Sequence, residues 1–444
     1  MISARKALPL IIVFVAAFLL TYLLLTLFYP LKKEPGSVPL KVAGLWDKEV
    51  FEAIKEDFLK EYPEITLTYE QKPPGQYFAN LKAELNNPEP PDVFWWHSGW
   101  GPLLAEHLDS LPGSIFSKAD YEKTFYPITK TDMKIGGDYR GVPLEIDGLA
   151  LLYNKDIFTS KNFASAPSTW TSLRSDFVPS LTTADKERII NSGIALGATN
   201  NVENLGEIIG LFLLQNGVEF TKNGKLVLNE REGSANLTKD AVNFYEAFSE
   251  EDRTWDNTQP NSLEAFGRGK VAMILLPAYK VHDLLALIRA ENLKLDFAIE
   301  PVPQLPSAPL VTWGRYWALG VNSVSEEKGY AWEFVKYISQ PATLRKVFEL
   351  ESKVDGFARA YPRVEMASEQ TTNVFLAAYI AQAATAKSWF FHSDTFDESL
   401  NDSLITELKK MLLAIEKGTS TEGALEDFVE NISPTLKKYG IVSE

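Results

Sequence analysis

Residues 40–70 read LKVAGLWDKEVFEAIKEDFLKEYPEITLTYE, and this stretch decides the fold. Leu40–Leu45 is a short apolar run suited to a buried strand. Asp47 then opens a helix whose Val50, Phe51, Ile54, Phe58 and Leu59 recur at helical spacing until Pro63 stops it. Ile65, Leu67 and Tyr69 alternate with threonine and Glu70, which is the period of a half-buried strand. Downstream, QYFANLKAELN is helical, the proline-rich NNPEPP breaks it, and Asp92-Val93-Phe94-Trp95 reads as another buried strand. The order β-α-β-α-β implies an open, mostly parallel sheet with helices on both faces. Ligands of such sheets sit beyond the carboxyl ends of the strands, which here carry Trp46, Asp47, Trp95, Trp96, His97 and Trp100.

Further along, Gly141–Asn154 (GVPLEIDGLALLYN) reads as two extended pieces around Asp147-Gly148, and the chain is then mainly helical to about Gly269. Val202–Gln215 and Ser234–Phe248 are the clearest helices there. Lys270–Leu276 (KVAMILL) is again strand-like, followed by a helix through Leu287, a strand at Leu295–Ile299 and a tryptophan-rich strand at Trp313–Val321. A sheet pattern that stops and resumes implies two α/β lobes joined by several connections, hence a hinge over a cleft. The expected division is a first lobe of residues 38–147 and 268–322, and a second of residues 148–267 and 323–444, the latter ending in a helical tail. No internal repeat or low-complexity tract appears.

Ahead of the lobes, Arg5 and Lys6 precede Leu8–Tyr29, 22 almost entirely apolar residues. At a helical rise of about 1.5 Å per residue the segment reaches roughly 33 Å, enough for a bilayer core of roughly 30 Å. A secretory signal has a shorter apolar region ending in small residues, whereas this one ends in Phe28, Tyr29 and Pro30. Residues 1–37 are therefore expected to form a cytoplasmic N-terminus, a transmembrane signal-anchor helix over 8–29 and a short tether; the alternative is a cleaved signal peptide. Either way the body is exported.

The chain has 444 residues, 45% hydrophobic and 23% charged, ample for a large core. Its net charge of −15 argues against nucleic acid as a partner. Cysteine is absent, which removes disulfides, thiolate metal sites, cysteine nucleophiles and lipid attachment through a thiol. The four histidines are scattered, and no H-E-x-x-H, G-x-S-x-G or G-x-x-x-x-G-K-[ST] occurs, so neither catalytic residues, metal ligands nor a cofactor are expected. Gly267–Ala272 imitates a dinucleotide fingerprint but follows a helix and precedes a strand, the wrong order for cradling a pyrophosphate.

Ten tryptophans are the informative feature. An indole face packs on the apolar face of a sugar ring while carboxylates, amides and arginines bond its hydroxyls. Trp46, Trp100, Trp255 and Trp313 are candidates for that contact, whereas Trp170, Trp332 and one of the adjacent Trp95 and Trp96 suit the core. Asp47 doubles as a helix cap. Indoles in an acidic surround also suit a cationic compatible solute held in an aromatic cage, and abundant carboxylates leave room for an exported carbohydrate-active enzyme.

Taken in order, FLKEYPEITLTYE, PPDVFWWHSGW, LAEHLDSL, YRGVPLEIDGLALLYNKDIF, APSTWTSL, LFLLQNG, SLEAFGRGKVAMILLPAY and WALGVNSVSEEKGYAWEFVKYIS resemble the family 1 extracellular solute-binding proteins, the maltose-binding-like receptors of ABC importers. The resemblance covers about Leu40 to Ile432. It implies a two-lobed periplasmic-binding-protein-like fold of type II, monomeric, that closes on a sugar and presents it to permease subunits without altering it. Carried over, the ligand positions are Trp46, Asp47, Trp95, Trp96, Ser98, Trp100, Asp147, Tyr279, Trp313, Arg315 and Tyr316. His97 stands where such proteins often have an acidic residue, and the lipid-bearing cysteine of many relatives is missing.

Overall fold

A computed structural model describes residues 34–186, 188–231 and 235–443. The expected membrane span at residues 8–29 lies outside the described residues; among those described, no helix is long and apolar enough to cross a membrane.

The opening stretch folds as read. Strand β1 (Val38–Gly44), helix α1 (Lys48–Glu61), strand β2 (Ile65–Gln71), helix α2 (Tyr77–Leu85) and strand β3 (Val93–His97) follow one another, with β1 parallel to both β2 and β3. Helix α1 buries Val50, Phe51, Ile54 and Phe58, and Asp47 caps it by accepting from the Glu49 N–H at 2.9 Å. Two further strands complete a five-stranded sheet in the order β2-β1-β3-β11-β4, where β4 is Val142–Pro143 and β11 is Trp317–Val321.

The second sheet has seven strands and is built on β5 (Asp147–Asn154), β6 (Thr183–Asp185), β7 (Arg188–Ile194), β8 (Val271–Pro277), β9 (Phe297–Glu300), β10 (Thr312–Arg315) and β12 (Ala386–Lys387). Every residue of β5 and β8 is buried, so these antiparallel partners form the sheet's centre. Helix α3 (Leu205–Gln215) and helix α4 (Leu237–Glu250) pack in this lobe, and helix α5 (Ala278–Glu291) starts directly from β8.

The lobe boundaries differ from the expected ones. Residues 268–315 belong to the second lobe, because β8 and β9 both pair with β5. Conversely, helix α6 (Lys328–Ile338) and helix α7 (Pro341–Val354) belong to the first. Trp332 Nε1 donates to Asp109 at 2.9 Å, and Lys346 Nζ reaches Asp57 on α1 at 2.5 Å. An apolar run such as VAMILLP has the same composition in either sheet, so burial could be read from it but not its partner. The tryptophan-rich segment expected as one strand is broken at Tyr316, with β10 in one sheet and β11 in the other. The chain therefore passes between lobes at 144–146, again at Tyr316, and a third time between Glu369 and helix α8 (Ala377–Gln382), whose Tyr379 hydroxyl donates to Leu276 O at 3.0 Å.

On α4, Glu246 is 5% exposed and neither carboxylate oxygen has a hydrogen-bond partner among the described residues. Burial, then the Glu416 and Glu250 carboxylates, push it up to about 8. Because the folded value lies above the unfolded one, this acid costs stability as pH rises from about 4.5 to 8. Glu246→Gln is expected to raise stability by about 2 kcal/mol at pH 8 and to leave it near wild type at pH 4.5, as read by thermal melts across that range.

Candidate functional site

The carboxyl ends of β1, β3 and β8 and the first two crossings converge where the lobes meet. Close by lies a chain of buried charges. Asp147, the first residue of β5, accepts from the N–H groups of Ala278 (2.7 Å) and Tyr279 (3.1 Å), so it caps α5, and from its neighbour Gly148 at 2.6 Å. Arg315, the last residue of β10, is 4% exposed. Its Nη1 donates to Glu207 Oε1, the Tyr279 hydroxyl and Ser393 O, each at 3.2 Å, and its guanidinium lies 4.4 Å from the Tyr279 ring centroid. Glu207 also accepts from Ser393 N at 2.8 Å and Oγ at 2.6 Å. Burial raises the carboxyls of Glu207 and Asp147, and Arg315 opposes that rise in both. The Tyr279 hydroxyl donates to Asp394 at 2.9 Å, and Lys280 pairs with the same carboxylate at 2.8 Å. Against burial, which raises it, Lys280 holds Asp394 below its ordinary value.

The chain of charges continues into the first lobe. Glu145, in the first crossing, pairs with Arg359 at 2.9 Å, and Arg359 pairs with Glu351 of α7 at 2.7 Å. Burial lifts Glu145 to about 7 despite Arg359. A cavity of about 20 Å³, the size of one water, is lined by these three side chains with Trp46, Trp95 and Tyr361.

A much larger cavity, about 1110 Å³, separates the lobes from Ser98 outward. The first lobe contributes Ser98, Ile128, Asp132 and Lys134; the second contributes Leu310, Lys387, Ser388, Trp389, Phe390 and His392. One Trp389 face is stacked on Phe220, with centroids 4.4 Å apart and planes 11° apart. The lobes touch at this site: Ser388 Oγ donates to Asp132 Oδ2 at 2.7 Å, and Asn401 Nδ2 donates to Gly99 O at 3.0 Å.

Of the residues expected at a ligand, Ser98 lines the large cavity and Trp46 and Trp95 line the small one, their rings edge to face with centroids 4.7 Å apart. Asp147, Tyr279 and Arg315 meet in the buried network and line neither of these two cavities, and Asp47 is engaged as a cap. Trp96, Trp100, Trp313 and Tyr316 are almost wholly buried: Trp96 lies against Gly141 and Gly320 and Trp100 among Tyr77, Phe78 and Trp317, all in the first lobe, while Trp313 lies against Gly210 of α3 in the second. Trp255 lies inside the second lobe with its Nε1 on Asn201 at 2.9 Å and lines neither cavity. Expected among the ligand contacts, it instead finds in Asn201 the polar partner that pins it within the lobe.

Sequence reasoning missed Glu207, Asp394, Trp389 and the Glu145–Arg359–Glu351 triad. Glu207 had a usable signal, since a lone acid in the apolar helix LGEIIGLFLLQ requires a buried partner. Glu351 sits on α7, and the others sit in irregular segments without period.

The two-lobed arrangement is matched by comparison with known proteins. The family profile of bacterial extracellular solute-binding proteins matches residues 53–374. The chain belongs to this family. Among curated relatives of this solute-binding protein, the maltodextrin-binding protein of Bacillus subtilis is 24% identical over 344 residues, 75% of this chain and 76% of that one. Among solved structures, the sugar-binding protein MalE of Xanthomonas citri superposes with a TM-score of 0.72 at 17% identity, covering 90% of this chain and 98% of the other. The cyclic α-maltosyl-1,6-maltose-binding protein of Arthrobacter globiformis gives 0.72 at 17% identity, with 91% and 100% covered. All three are binding proteins, and the solved structures establish that this solute-binding protein has their two-lobed fold.

Proposed function

We propose that this chain binds a sugar or oligosaccharide between its lobes, closes over it, and delivers it unaltered to the membrane subunits of an ABC importer. The observation that carries this reading is the pair of sheets joined through Tyr316 and residues 144–146, with strand ends and mixed aromatic and polar side chains facing one gap. Structural relatives that hold maltose-type sugars support the ligand class. The apolar run at 8–29 supports a single-pass anchor with the monomeric body on the outer face.

Closure is a population shift: a ligand touching both lobes only when they meet favours that form by its differential affinity. The aromatic-cage reading is disfavoured by Arg359, which places a cation between the two carboxylates beside Trp46 and Trp95. Titration calorimetry with maltotriose and maltotetraose against glycine betaine separates the readings, with scattering recorded on the same samples. The expected result is saturable binding of an oligosaccharide, a smaller radius of gyration and recovery of the intact sugar. Binding of betaine alone, or hydrolysis of the oligosaccharide, would refute the proposal.

A further inference from the structure

His97 ends β3 in the first lobe, and His392 lies in the second-lobe segment ahead of helix α9 (Leu400–Glu416). Their rings nonetheless meet, with centroids 4.9 Å apart and planes at 76°. His97 is 0% exposed and His392 1%. Trp100 and Trp317 flank His97, and Trp313 flanks His392, so the pair is walled by indoles. The Gly99 N–H donates to His97 Nδ1 at 3.1 Å, which places the neutral ring's proton on Nε2. That Nε2, and His392 Nδ1, have no hydrogen-bond partner among the described residues.

The charged groups around the pair are already committed. Glu207 serves Arg315 and Ser393; Asp394 serves Tyr279 and Lys280; Asp397 serves Asn401 and Ser399; Asp132 serves Ser388. The charge felt by both rings is the Arg315 guanidinium, a cation. An imidazolium formed here is left without a counter-ion beside another positive group.

We propose that His97 and His392 form an acid-sensitive latch between the lobes, which holds them together while both rings are neutral and drives them apart when they take up protons. In contact, burial and then Arg315 hold both rings well below the ordinary histidine range. Separated and hydrated, each titrates near about 6.5. The neutral pair thus favours contact at pH 7 and above, and that advantage is lost as pH falls below about 6.5. With two protons taken up on opening, the ratio of closed to open molecules falls about 100-fold between pH 7.5 and 5.5.

Small-angle scattering of the ligand-free protein over that range tests the latch, with far-UV circular dichroism alongside. The expected result is a reversible rise in radius of gyration at acid pH with the circular dichroism unchanged. His392→Gln alone should reduce the fall in the closed-to-open ratio to about 10-fold, and H97Q/H392Q should remove it. A radius that does not change with pH, a double variant that follows wild type, or a rise accompanied by loss of helical signal would each overturn the proposal.

Discussion

Replacing Arg315 with methionine is expected to destabilise the protein by about 3–5 kcal/mol at pH 8, the usual cost of stranding a buried charge. Arg315 is the cationic partner of Glu207, a residue with 0% exposure whose other contacts come from Ser393. Methionine fills most of the arginine stem's volume, so the loss is electrostatic rather than a cavity. Without the guanidinium, the largest influence opposing the rise that burial imposes on the Glu207 carboxyl is gone, and hydrogen bonds, chiefly those from Ser393, are what remain against it. A carboxyl raised above its unfolded value costs stability as pH rises past that unfolded value, so the defect should shrink at pH 5, where Glu207 binds a proton in the folded state. Chemical denaturation at pH 8 and pH 5 checks both size and sign. An equal loss at both values would mean that Arg315 acts through packing, and that the Glu207 pair is not what it holds together.

The second large effect is on lobe contact. A Cβ added to Gly99 would lie 2.6 Å from His392 Cδ2 and 3.1 Å from both terminal atoms of Asn401, all on the opposite lobe. That overlap cannot be absorbed within the first lobe, because Gly99 is followed by Trp100, which is locked among Tyr77, Phe78 and Trp317. Gly99→Ala should therefore part the lobes while leaving each folded. The expected readouts are a larger radius of gyration, a roughly 10- to 100-fold weaker affinity for any ligand gripped by closure, and a melting temperature within a few degrees of wild type. Gly75→Ala, where the added atom meets nothing within 4 Å, is the matched control. Wild-type scattering and affinity in Gly99→Ala would show that the contact between Gly99 and His392 plays no part in closure.

The N-terminal half of the first lobe was legible because local signals agreed. Asp47, the helical spacing through Phe58, Pro63 and the alternation at 65–69 each mark one element and leave one solution. What could not be read was which sheet the later strands join. Val271–Pro277 and Trp317–Val321 are both short apolar runs, and the pairings that send them to different lobes are made with strands far away in sequence. The site was legible in part for the same reason. Trp46, Ser98, Asp147, Tyr279 and Arg315 stand at strand ends, where position alone places them near the lobe junction. Trp96, Trp100 and Trp313 stand there too, but they pack mainly inside their own lobes, and whether an indole at a strand end turns inward leaves no mark in local sequence. Glu145 and Arg359 met only because residue 146 pairs with residue 360 across the hinge.

The break at Tyr316 leaves one residue between a strand of each sheet, and the neighbouring crossing has three. So short a joint has no slack to stretch: the halves cannot slide or drift apart, and what remains is a swivel about the axis those two strands define. Most of the orientational freedom of the two halves is thus given up when the chain folds. A guest entering the gap has little disorder left to suppress, and the free energy of its contacts can appear almost entirely as tightness of grip.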